Sequence, residues 1–148
     1  MTLPAGLRVA RLSRRLASGL YEFLILLALV FIATLPFSYL FGDATHGWKR
    51  HLLQAWVLLV IAAYFTWFWT RGGQTLPMKT WRLRLVAAHG GSVTLPRALR
   101  RYVLAVLGFA TLGAGFLWAL VDRDRQFLHD RLAGTLLVDA PSDASLPS

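Results

Sequence analysis

Glu22 is an acid in the wrong solvent. It lies near the head of an apolar run, Leu16 to Phe41, in which no formal charge follows it. An ionised carboxylate there costs on the order of a few kcal/mol unless it is paired, protonated or close to the interface. Arg15 stands seven positions earlier, two helical turns away, and Ser18 shares the face, so one stripe reads Arg15, Ser18, Glu22. About 10 Å of rise separates Arg15 from Glu22, too far for a direct pair. The partner of Glu22 therefore belongs to another element, and Arg97, Arg100, Arg101 and Arg131 are the candidates. Glu22 is either a proton or small-cation site, as intramembrane carboxylates are in transporters, or the acid of a structural ion pair, or a side chain snorkelling to the interface.

Other chemistries find no support. The chain has no cysteine, which excludes disulfides, thiolate catalysis and Cys-based metal sites. His46 and His51 flank a short connection, His89 falls in a Gly-rich turn and His129 adjoins Asp130, without the paired spacing of a zinc motif. No nucleophile elbow frames the serines, and no glycine loop could cradle a phosphate. The expectation is a protein that is not an enzyme and holds neither metal nor cofactor.

These residues need elements to position them, and composition says which. Of 148 residues, 56% are apolar and 16% charged, more apolar and less charged than a typical soluble domain. Three stretches have the roughly 20 apolar residues that cross a bilayer. They are 16–41, 52–70 (dense in aromatics) and 102–121, and none shows the polar face of a soluble surface helix. The first is too long for the core of a cleaved signal peptide. Basic residues then set the orientation. Arg8, Arg11, Arg14 and Arg15 precede the first segment, and seven Lys and Arg fill the 71–101 connection, with no acid in either. Both are expected to be cytoplasmic, with 42–51 outside. The net charge of +9 then suits anionic lipid rather than nucleic acid. Arg97, Arg100 and Arg101 are candidates for lipid head groups.

Two topologies remain open for the C-terminal part. Residues 102–121 cross once and leave 122–148 outside, or they form a re-entrant hairpin broken near Leu112-Gly113-Ala114-Gly115. Trp81–Ala87 alternates like a strand and the His-Gly-Gly-Ser turn at 89–92 leads to Val93-Thr94-Leu95, a short cytoplasmic β-hairpin. Thr135–Val138 offers a second partner, which the re-entrant form alone would bring to the same side. Thr111, Gly115 and Ala119 form a small-residue ridge suited to close helix contact. Pro36 is expected to end the first helix near the outer interface. Residues Leu7–Leu16 suit a short interfacial helix, and Ala140–Ser148 a disordered tail. Residues 1–139 thus make one membrane domain.

Three pieces carry a family resemblance. Arg15-Leu16-Ala17 precedes Glu22 at the head of a membrane helix. Gln74 to Val86, QTLPMKTWRLRLV, leads to LPRALRRY at Leu95 to Tyr102. FLHDRLAGT runs from Phe127 to Thr135. Together they resemble the RDD family of small bacterial integral membrane proteins, named for an arginine and two aspartates. On that resemblance Arg15 is the family arginine and Asp130 the aspartate of the C-terminal motif. Glu22 takes the place of the first-helix aspartate, one methylene longer. Thr75-Leu76-Pro77-Met78-Lys79 occupies a TPGK-like turn, with Leu inserted and Met in place of Gly. The resemblance implies a role related to transport, since some members have been implicated in sodium–proton antiport.

The combined expectation is an all-α, multi-pass protein of the bacterial inner membrane. Arg15, Glu22 and Asp130, with Arg101 or Arg131, would gather near the cytoplasmic interface. Transport would require a homo-oligomer, because three short helices hardly enclose a pathway. The alternative is a non-transporting accessory or assembly protein whose charged cluster is structural.

Overall fold

Two long helices dominate the chain. The computed structural model describes residues 8–44, 46–111, 113, 117–118, 121–122 and 126–140. Helix α1 spans Leu12–Phe41 and α2 spans Gly47–Arg71, with mean hydropathies of 2.4 and 1.7 over their most apolar windows. Both are long and apolar enough to cross a membrane, and only 11% of each window is buried, so neither is the core helix of a soluble protein. Their polarity is inverted. Phe31 and Leu20 are 66% and 62% exposed, whereas Arg15, Ser18, Glu22 and Thr66 are buried.

Where α1 begins and α2 ends, the chain builds a small packed body. Helix α3, Leu76–Thr80, leads into strand β1, Leu83–Ala87. Helix α4, Leu95–Ala110, starts with Pro96 in its first turn, where the missing N–H costs nothing. Helix α5, Leu128–Ala133, stops at Gly134, whose φ of +65° suits a left-handed cap. Strand β2, Thr135–Asp139, follows.

The two strands pair antiparallel, with Leu85 opposite Leu137 and Leu83 opposite Asp139. The second edge of β2 takes the N-terminal stretch: Ala10 N–H donates to the Leu137 carbonyl at 3.0 Å, and Asp139 N–H donates to Arg8 at 3.0 Å. Strand β2 is therefore central, which is why Thr135–Val138 are all buried and read as a continuous run rather than an alternating one. The outer edge of β1 is closed by a loop. Gly73 accepts from Leu85 N–H at 2.7 Å, and the Gln74 side chain donates to the Leu83 carbonyl at 2.8 Å. Gly73 sits at φ +68°, and an added Cβ would collide with the Leu85 carbonyl, so the close approach requires glycine. Leu83, Leu85 and Leu137 pack one face of the sheet against Trp69, Met78, Ala98 and Tyr102. Val86, Leu136 and Val138 cluster on the other.

Several expectations need correction. Val93 and Thr94 form no strand and Leu95 opens α4, so the hairpin within the 71–101 connection does not form; β1 takes β2 instead. This pairing seats residues 83–87 and 135–139 side by side in one sheet. The third apolar segment is not one helix over 102–121: α4 begins at Leu95 and ends at Ala110. Residues Gly115 and Ala119 of the proposed ridge, and most of the proposed break, lie outside the described residues, though Gly113 has φ +76°. Arg8–Ala10 are extended on β2, not helical, because the sheet edge satisfies their backbone. Pro36 lies inside α1 and does not end it. The expected disordered tail falls on 141–148, outside the described residues, while Ala140 N–H bonds to the Arg82 carbonyl at 2.8 Å.

Candidate functional site

Helix α1 carries its polar stripe into the packed body, and α2, α3, α4 and α5 each bring one or two residues to meet it. Glu22 lies ten residues into α1, about 15 Å along its axis. Its two carboxylate oxygens are held separately. Tyr64 of α2 donates to Oε1 at 2.8 Å, and Thr75, immediately before α3, donates to Oε2 at 2.5 Å. Thr75 is fully buried and spends its hydroxyl on Glu22 rather than on capping α3.

Asp130 is held differently. It sits in the first turn of α5, where the helix dipole favours an anion. Arg101 of α4 donates to its Oδ1 through both Nε and Nη2 at 2.7 Å, and both side chains are buried. The Arg101 guanidinium also lies over the Trp69 ring, 4.2 Å from its centroid, a cation–π contact that holds the fork in place. Oδ2 of Asp130 has no hydrogen-bond partner among the described residues. His129 Nε2 stands 3.7 Å from Oδ1, and its ring stacks on Phe127. Burial pushes the His129 imidazole down to about 4, with the Arg101 charge adding to the fall and Asp130 opposing it.

Arg15 joins the two ends. Its Nη2 donates to the Leu137 carbonyl of β2 at 3.1 Å, and its charge acts with those of Asp130, Arg101 and Asp139. Arg101 also acts electrostatically on Glu22. Arg14, the residue before Arg15, pairs with Asp139 at 3.3 Å.

Of the residues singled out from the sequence, Arg15, Glu22, Arg101 and Asp130 are all buried, and Arg101 pairs with Asp130, while Arg15 and Glu22 stay about two turns apart on α1. Arg131 is half exposed and pairs with Asp122. Among the described residues the direct partners of Glu22 are two neutral hydroxyls rather than the expected guanidinium. Among the lipid candidates Arg101 faces inward on Asp130, while Arg100 is exposed and Arg97 partly so. Tyr64, Thr75, Trp69 and His129 were missed. Tyr64 and Trp69 lie in a helix full of aromatics, Thr75 lies in a turn, and His129 has no metal-motif spacing to mark it although it adjoins Asp130.

An uncharacterised protein of Rickettsia prowazekii (strain Madrid E) is 36% identical over 88 residues, 59% of this chain, which spans about half (49%) of that protein's length. No solved structure matches. A family model for the RDD family matches residues 9–134, a stretch that contains Arg15, Glu22, Arg101 and Asp130. The chain belongs to the RDD family.

Proposed function

We propose that this protein works in proton- or cation-coupled transport across the bacterial inner membrane, with Glu22 as the exchanging group and no chemical catalysis. The N-terminus, the 71–101 connection and β2 lie on the cytoplasmic side, as the basic residues of the first two require. The apolar part of 102–121 enters from that side and returns to it. Tyr102 donates to the Leu58 carbonyl at 2.8 Å, and Leu58 is thirteen residues, about 20 Å, before the end of α2. Helix α4 thus climbs well into the depth that α2 spans. Arg97 and Arg100 meet anionic lipid head groups. Two spanning helices do not enclose a pathway, so the working form is an oligomer.

The observation that carries this reading is the contrast between two buried acids. A guanidinium can only donate, and the Arg101 fork sets a full positive charge against Asp130. Hydroxyls both donate and accept, so the partners of Glu22 suit either of its protonation states. In reconstituted vesicles, proton-coupled cation flux is expected for the native protein and absent for Glu22→Gln; equal flux in both would defeat the reading. A second reading is favoured by the Arg101–Asp130 fork, which ties α4 to α5: the cluster is a clasp in a non-transporting accessory protein. In that case Glu22→Gln lowers abundance or partner co-purification and no transport phenotype follows.

A further inference from the structure

The two hydroxyls on Glu22 are not equivalent. A phenol hydrogen stays near the ring plane, which holds the Tyr64 donor on Oε1 at 2.8 Å, whereas a threonine hydroxyl turns freely. Thr75 Oγ1 donates to Oε2 and no other hydrogen bond fixes its orientation among those described. We propose that Glu22 has one proton position, on Oε2, with Thr75 as its reversible partner and Tyr64 as a fixed donor to Oε1. This rests on the reading of Glu22 as an exchanging group, and it deepens that reading by naming two positioning residues.

The step balances simply. A proton delivered from water forms an O–H bond on Oε2 and leaves the carboxyl neutral. Thr75 then turns its hydroxyl so that a lone pair faces the new O–H, while Oε1, now the carbonyl oxygen, keeps its bond from Tyr64. The carboxyl stays in place through the cycle. The charged and titratable groups around it are Arg15 on its own helix, Tyr64 on α2, Arg101 on α4, and Asp130 and His129 on α5. Tyr64 and Thr75 donate directly to Glu22, so the hydroxyls decide which oxygen takes the proton.

An ionised acid gains more from a donor than a neutral one does. Losing the Thr75 hydroxyl therefore favours the protonated form of Glu22. A hydrophobic carbodiimide, which reacts with protonated carboxyls in membranes, reads this out by mass spectrometry of native vesicles. Native Glu22 is expected to label increasingly as the pH falls. Thr75→Val, of the same shape, labels several-fold faster at neutral pH, Thr75→Ser restores the native rate, and Tyr64→Phe has a smaller effect than Thr75→Val. Should Thr75→Val fail to accumulate, Thr75→Ala serves the same comparison against Thr75→Ser. Native labelling with an unchanged rate in the Val or Ala variant overturns the role of Thr75 alone. A native Glu22 that labels at no pH overturns the exchanging acid itself, and this proposal with it.

Discussion

The two ends of the α1–α2 pair are built on opposite principles. Toward the 42–46 connection the helices meet through Ala33 and Phe37, with Trp56 donating to the Ala33 carbonyl at 2.9 Å and Lys49 to the Phe41 carbonyl at 2.8 Å. The donors reach main-chain oxygens, and Ala33 lies one residue from the carbonyl that Pro36 leaves without its helical partner. Toward the sheet, the contacts are side chain to side chain, carry charge, and join residues far apart in sequence. One end is a zipper of shape; the other is a knot of specific partners. Apolar contacts tolerate repacking, whereas a buried charge stripped of its partner has no substitute.

The sharpest way to break this contrast is at Arg101. Arg101→Met leaves the Asp130 carboxylate buried without its cation and is expected to cost about 3–5 kcal/mol, comparable to the whole stability of many domains. Membrane abundance and thermal melting in detergent should both fall, and adding Asp130→Asn should recover much of the loss. A drop below about 1 kcal/mol would place the strength of the molecule elsewhere.

His129 sharpens the contrast through pH. Its folded value near 4 lies below the usual histidine value of 6.5, so the fold favours the neutral ring. The contribution is complete above about pH 6.5 and is lost as the pH falls through about 4, on the order of 3 kcal/mol in all. Melting followed between pH 7 and pH 4 should decline in the native protein and decline less in His129→Gln. Equal slopes would mean that the ring is not held neutral.

At the other end Trp56→Phe keeps the packing and removes one neutral donor. A loss of about 1 kcal/mol is expected, the worth of a single hydrogen bond. A loss as large as that of Arg101→Met would erase the distinction between the two ends.

How much of this was legible in the residues follows from the same contrast. Helices α1 and α2 were readable because lipid leaves an unbroken apolar signature, although their ends lay a few residues beyond the runs. Arg15, Glu22 and Asp130 could be singled out because charge is rare in such surroundings. What could not be read was pairing. The apolar run Thr135–Val138 fits one partner strand as well as another, and the neighbour of Glu22 depended on how α3 and α4 fold back. Hydroxyl partners were harder still, since Tyr64 and Thr75 look ordinary in an aromatic helix and a turn. An acid in lipid suggests a cation; here the bond went to groups whose polarity shows only in three dimensions.

The central place of β2 has a consequence for assembly. Of the described elements it comes last in chain order, yet it fills the slot between residues 8–10 and β1 and supplies the Leu137 oxygen that Arg15 grips. The hairpin of long helices can enter the bilayer early, but until the ribosome has delivered this strand two edges stay open and the arginine has no main-chain anchor. Closure is thus a late event joining segments more than 120 residues apart, a slow kind of step in folding. Quality control in the membrane would meet the unfinished form as a pair of apolar helices with an unsealed rim.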